Sequence, residues 1–259
     1  MFLPVVRLFP VARQLWTRLL VAAALVGPRM LQGFRPPAGE PRTLVSQPAG
    51  VKVTLRPAAQ RFASCLSRDD VDVQRFITAA DEFVQSVERF GDFTSRGVND
   101  ARKNLRRVEQ AAGRRYSSMR AFLMDEARRG LTKPGGGPAS SSGAEALLWS
   151  RLSISLWVEL FKEHLRSKKP LADAFRSAFQ RSIAPYLDRF GRAAFAAASA
   201  ATPGWDIVRE RTQLGCKNGV CSDEHLTSEL RAFVEGVEPV IERLTQLQKS
   251  VGLEDPRTP

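Results

Sequence analysis

The chain has 259 residues, 43% hydrophobic and 25% charged, enough apolar material for a substantial core and too much for wholesale disorder. Its formal net charge is +12, but the first 58 residues hold eight cations against a single acid, Glu40, so seven of those charges belong to the leading segment. The body is only mildly cationic. That weakens a nucleic-acid reading, which wants a concentrated basic face, and suits an anionic membrane surface about equally well.

Residues 1–39 contain no acid and five arginines. The apolar run from Leu19 to Gly27 is far short of the roughly 20 residues a spanning helix needs. Its length suits a signal-peptide core, its arginine-rich, acid-free setting suits an organelle transit peptide, and a plain basic extension is the third possibility. Pro36-Pro37-Ala38-Gly39 and Gln47-Pro48-Ala49-Gly50 read as linker. The organisation expected is a poorly ordered targeting or membrane-associating segment over 1–58, followed by one folded domain over 59–255.

Beyond that boundary the apolar spacing is helical. Phe76, Ala80, Phe83, Val84, Val87 and Phe90 make one stripe, ended by Gly91; Val98, Ala101, Leu105, Val108 and Ala112 make a second, ended by Gly113. Met119, Phe122 and Leu123 mark a shorter element. Residues 131–143, rich in Gly, Pro and Ser, read as a flexible internal loop; with no strand before the glycines and no Lys-Ser/Thr pair after them, they are not a phosphate loop. Leu147 to Phe161 is apolar on most sides, the mark of a central buried helix. Phe179, Ile183, Leu187, Phe190 and Ala194 form another stripe, interrupted near Pro185, and Leu226 to Val251 forms the most regular one. No segment alternates with period two. The fold class expected is all-α, with seven or eight helices.

Several chemistries are missing. Neither histidine, His164 or His225, has the Glu three residues before it that a di-iron bundle uses, and both read as exposed helix residues. Nothing nominates a nucleophile with its base, so the expectation is no enzyme, no metal and no cofactor. Cys216 and Cys221 could pair, but C-x4-C with no second pair is a poor zinc signature, and three free thiols are the favoured reading.

One constellation stands out. Asp100, Asn104 and Arg107 fall at i, i+4 and i+7, on one helix face rotated away from the Val98–Val108 stripe. A carboxylate, an amide and a guanidinium there can grip a small polar head by several hydrogen bonds, although a polar helix face of this kind is more often simply solvated. Around it, segments follow in order from about Asp72 to Leu253: Phe83-Val84 through Phe90-Gly91-Asp92-Phe93, Asp100-x-x-x-Asn104-x-x-Arg107, Met119 to Glu126, Ala146-Leu147-Leu148-Trp149, and Ala178-Phe179 through Tyr186-Leu187. In this order and spacing they resemble the glycolipid transfer protein family.

The resemblance implies a two-layer helical sandwich of a single domain that transfers sphingolipids between membranes without catalysis. It implies that Asp100, Asn104 and Arg107 bind the head group and that Trp149 lies flat under it, with a glycosylceramide or ceramide-1-phosphate as ligand. The tails would occupy an apolar pocket near Ile154, Phe190, Phe195, Phe233 and Val237. Membrane contact would be peripheral and transient, through portal arginines and exposed aromatics such as Trp157 or Trp205, on a cytosolic monomer with no nucleic-acid partner. Three positions depart from the family pattern: Leu187 replaces its histidine, Arg189 its tryptophan, and Leu152 an arginine. The missing cations tilt the reading towards an uncharged head, while Lys103, Arg151 and Arg189 stand as candidate partners for a phosphate. Loss of the histidine motivates an alternative, a lipid sensor or scaffold of the same fold that has lost transfer.

Overall fold

The computed structural model describes residues 52–257, so the expectation of a targeting signal in the leading segment lies outside the described residues. Among those residues there are nine α-helices: α1 (Arg56–Ala63), α2 (Val73–Glu88), α3 (Ser95–Ala112), α4 (Met119–Arg128), α5 (Gly143–Ser167), α6 (Leu171–Ser182), α7 (Arg189–Ser199), α8 (Trp205–Thr212) and α9 (Asp223–Ser250). The chain is all-α, a two-layer helical sandwich, with one small two-stranded exception. No described helix is long and apolar enough to cross a membrane.

The helix starts follow from side-chain caps. Asp72 accepts from the Arg75 N–H, Ser118 from Ala121, Ser142 from Glu145 and Ser222 from His225, each meeting a donor the first turn leaves orphaned. The stripe from Phe179 is indeed broken at proline: α6 ends at Ser182, and Ala184–Tyr186 forms a single 3-10 turn around Pro185. The helices added to the expected elements are α1 and the short α8; α1 is the one that moves the domain boundary. Its Ala58, Ala59 and Phe62 are buried, and so are Val53 and Leu55 before it. Among the described residues the packed body therefore already includes Val53 and Leu55, ahead of the expected boundary at 59.

Helix α5 is the hub. It packs against α3, α6 and α9, while α1 joins α9 to α2. Phe233 of α9 meets Phe62, Phe83 and Phe161 at centroid separations of 6.4, 4.5 and 5.3 Å, so one aromatic cluster ties four helices together. Farther along α5, the fully buried Glu163 side chain accepts from Lys169 at 3.0 Å and from Arg181 of α6 at 2.9 Å. These partners, Lys169 first, hold its carboxyl down at about 2.

The 131–143 loop carries turns of its own: Lys133 N–H donates to Gly137 O and Ala139 N–H to Leu131 O, around three glycines with positive φ. One expectation about a small element is corrected. Cys216 and Cys221 are not free thiols. They sit directly opposite each other in a hairpin whose turn residues, Asn218 and Gly219, both have positive φ, and they form a disulfide. Cys65 is a free, buried thiol, and burial pushes it up to about 12.

His164 is also corrected. It is buried, with its ring centroid 4.8 Å from that of Trp205 and its Nδ1 lacking a hydrogen bond among the described residues. Burial, helped by Lys168, pushes its pKa below the usual imidazole value. The native state thus prefers neutral His164, and its contribution is present above the unfolded value of about 6.5 and lost as pH falls below it. Thermal melting is expected to drop between pH 7.5 and 5.5, and His164→Gln is expected to reduce that slope. An unchanged slope in the variant would contradict the assignment.

Candidate functional site

The α3 stripe Val98, Ala101, Leu105, Val108 and Ala112 is buried, which turns Asp100, Asn104 and Arg107 to the other face. Arg107 is half-buried and reaches across to the start of α5. Its guanidinium donates to Asn104 Oδ1 at 3.3 Å, to the Ser142 carbonyl at 3.2 Å and to Glu145 Oε2 at 3.1 Å. One turn later on α3, Ala111 packs so closely on Gly143 that a Cβ there would lie 2.5 Å from the Ala111 methyl. Late α3 therefore meets early α5, and the two helices run antiparallel. Stepping back one turn from Arg107 reaches Asn104, and stepping forward one turn from Glu145 reaches Trp149.

Trp149 is half-buried, packed with Leu148, Leu152, Ile183 and Tyr186. From that cluster a cleft of about 630 Å³ opens to solvent, lined by Leu152, Ser155, Glu159, Gln180, Arg181 and Tyr186 among others. Asp100 is exposed and makes no hydrogen bond or ion pair among the described residues. Desolvation nonetheless raises its pKa, with Lys103 opposing. The α3 face thus presents an unpartnered acceptor, an amide whose NH2 is unused and a fixed guanidinium, while the packing neighbours of Trp149 are Leu148, Leu152, Ile183 and Tyr186, and none of Asp100, Asn104, Arg107 and Trp149 lines the cleft.

Residues 71–213 match the family described as Glycolipid transfer protein (GLTP), more than half of the chain. This chain belongs to the glycolipid transfer protein family. Its proteins transfer lipids and are not enzymes. Mouse ceramide-1-phosphate transfer protein in its apo form superposes with a TM-score of 0.67 at 18% identity, covering 79% of this chain and 100% of that one. Human ceramide-1-phosphate transfer protein in complex with 12:0 ceramide-1-phosphate gives 0.67 at 20% identity over 78% and 98%. A fungal glycolipid transfer protein gives 0.60 at 15% over 76% and 94%. At such identities the likeness is one of fold. No curated protein matches the sequence significantly.

Against the glycolipid transfer protein pattern, the structure sorts the remaining expected residues. Leu187, at the family's histidine position, is partly buried against the core and offers no side-chain donor. Lys103 and Arg189 are exposed, Arg189 lying 4.7 Å over the Phe190 ring. Arg151 is not a free cation: it is 4% exposed and donates to Gln248, to Thr245 and to both oxygens of Glu254. Ile154, Phe233 and Val237 belong to the continuous core, and Phe195 stacks on Phe179 at 3.5 Å and on Phe175 at 5.3 Å. Phe190 is 52% exposed. None of these five residues lines the cleft beside Trp149 or the polar one, about 340 Å³, near the start of α5. Trp157 is buried and Trp205 packs on Phe161 and His164, so neither is an exposed docking aromatic.

Sequence reasoning missed Glu145 and Glu126. Glu126 accepts from the Gly143 and Ala144 N–H groups at 2.9 and 2.7 Å, and Glu145 joins Ser142 in a Ser-x-x-Glu cap that was legible as a motif. It also missed the partner of Arg151, for which spacing gives no signal. The Arg151–Glu254 pair is buried on both sides, so Glu254→Ala is expected to cost about 3–5 kcal/mol in urea unfolding. The double change Arg151→Met, Glu254→Leu is expected to recover most of that loss. A single variant as stable as wild type would mean the pair carries little.

Proposed function

We propose that this chain carries a sphingolipid between membranes by sheathing it, without chemistry. The head group sits against Asp100, Asn104 and Arg107 with Trp149 beneath it, and the tails lie between α5, α7 and α9. The observation that supports this reading is the Arg107–Glu145 contact, which joins late α3 to early α5 one helical turn from Asn104 on the first and from Trp149 on the second. Family membership supplies the class of activity. A complex with 12:0 ceramide-1-phosphate in the human relative supports a ceramide-based ligand.

The physical logic is one of barriers. Each methylene held out of water is worth about 0.8 kcal/mol, so a two-tailed lipid leaves a bilayer very slowly unless an apolar sheath meets it. The interior is occupied by its own aromatic side chains, so tails enter by replacing contacts such as Phe195 on Phe179, an exchange of one apolar surface for another. Exposed Phe190 beside Arg189 is the pair suited to a bilayer surface, in place of Trp157 and Trp205. The protein acts as a peripheral monomer. Leu187 favours a second reading, a sensor that binds lipid but turns over slowly; equilibrium binding without intervesicle transfer is its signature.

Asp100 gives the cleanest test because its removal breaks no hydrogen bond within the described fold. At about 1.5–3 kcal/mol per charge-assisted bond, Asp100→Val is expected to slow intervesicle sphingolipid transfer about a hundredfold. Its melting temperature should stay within a few degrees of wild type. Transfer at the wild-type rate would remove Asp100 from the head-group site.

A further inference from the structure

Glu145 changes what the mouth can accept. We propose that it is the specificity-determining residue of the site and that, with Glu145 in place, the site selects an uncharged, hydroxyl-rich head over a phosphate; this rests on the lipid-transfer reading above.

Arg107 is the cation that the head-group motif supplies, yet its charge is already matched. Glu145 Oε2 accepts from it at 3.1 Å, and both side chains are largely buried, 26% and 18% exposed. Glu145 is itself held in place. Ser142 Oγ accepts from its N–H at 3.0 Å, its own Oε2 accepts from the Ser141 N–H at 2.7 Å, and Lys133 Nζ stands 3.7 Å from Oε1. Because the carboxylate is part of the α5 cap, it cannot swing away to release Arg107 without giving up the bond to Ser141. The two remaining Arg107 contacts, to the Ser142 carbonyl and to Asn104 Oδ1, use further N–H groups.

A phosphate entering here meets the Asp100 carboxylate and an Arg107 whose charge Glu145 already matches, with exposed Lys103 and, 3.7 Å from Glu145, the Lys133 ammonium as the other cations. Arg151, the next cation in sequence, is sequestered by Glu254. A phosphate needs unmatched guanidinium or ammonium donors to replace its hydration, and the mouth offers few. A hydroxyl-rich head needs something different: an acceptor, a donor and an apolar plate. Asp100 is an unpartnered acceptor, Asn104 keeps its NH2 free because its oxygen is engaged by Arg107, and Trp149 is the plate. Glu145 thus acts through Arg107 and Asn104, as a positioning residue rather than a contact.

The test compares the full chain with Glu145→Gln, which is isosteric and keeps an acceptor for Ser141. Each is titrated with phosphatidylcholine vesicles carrying either glucosylceramide or ceramide-1-phosphate of the same acyl length, and the ratio of the two affinities is read. Wild type is expected to prefer glucosylceramide, and the variant to shift the ratio about tenfold towards ceramide-1-phosphate. A purely structural effect would weaken both lipids alike and leave the ratio unchanged, which overturns the inference. Wild-type preference for ceramide-1-phosphate also overturns it while leaving lipid transfer intact, and it needs no variant. Binding of neither lipid by wild type overturns both.

Discussion

The start of α5 is an electrostatic joint on which the rest of the molecule hangs. Burying a helix N-terminus leaves several N–H groups and a partial positive charge without water, and here two carboxylates and a serine answer for them. Glu126, itself 4% exposed, reaches from α4 with both oxygens; Ser142 and Glu145 serve from within the cap. The approach is so close that only glycine fits at position 143, where a methyl would strike Ala111 and Phe122. With that joint made, the 25-residue helix can be apolar on nearly every side and lie between α3, α6 and α9. The antiparallel crossing of α3 and α5 at Arg107 and Glu145 is then set, and with it the composition of the mouth.

The same economy explains the C-terminal segment. Arg151 points into the body and is answered by Glu254, Gln248 and Thr245, while Arg257 donates to the Tyr186 carbonyl at 2.8 Å. The chain after α9 thus folds back over the region behind Trp149. Leu253 is fully buried there, and Pro256 lies against Gly137 of the 131–143 loop. Elements far apart in sequence thus brace one another through α5, the 131–143 loop and the C-terminal segment.

Much of the fold was legible because helical periodicity survives in single sequences wherever one face is buried. The stripes of α2, α3 and α9 emerged at the residues that pack, and Pro185 marked the break between α6 and α7. Helix α1 escaped notice because its buried face, two alanines and one phenylalanine within eight residues, makes too short a stripe, next to prolines that read as linker. The polar face of α3 was visible from spacing, and its meaning came from the order of segments around it. What spacing could not give was partnership across the chain. Arg151 looked like a spare cation because Glu254 lies 103 residues away, and His164 looked exposed because Trp205 covers it from another helix. The Cys216–Cys221 pairing had a local signal in Asn218-Gly219, a dipeptide that bends two strands face to face, outweighed by the search for a metal pattern.

The central claim is that a mouth of fixed polar groups recognises a head while the apolar interior opens to take its tails. Native mass spectrometry of the chain after incubation with sphingolipid-containing vesicles tests it most directly. The account predicts a one-to-one adduct of sphingolipid mass, released on collisional activation together with both tails. A protein that emerges with no bound lipid, or with one whose removal of the acyl chain leaves binding unchanged, would contradict it.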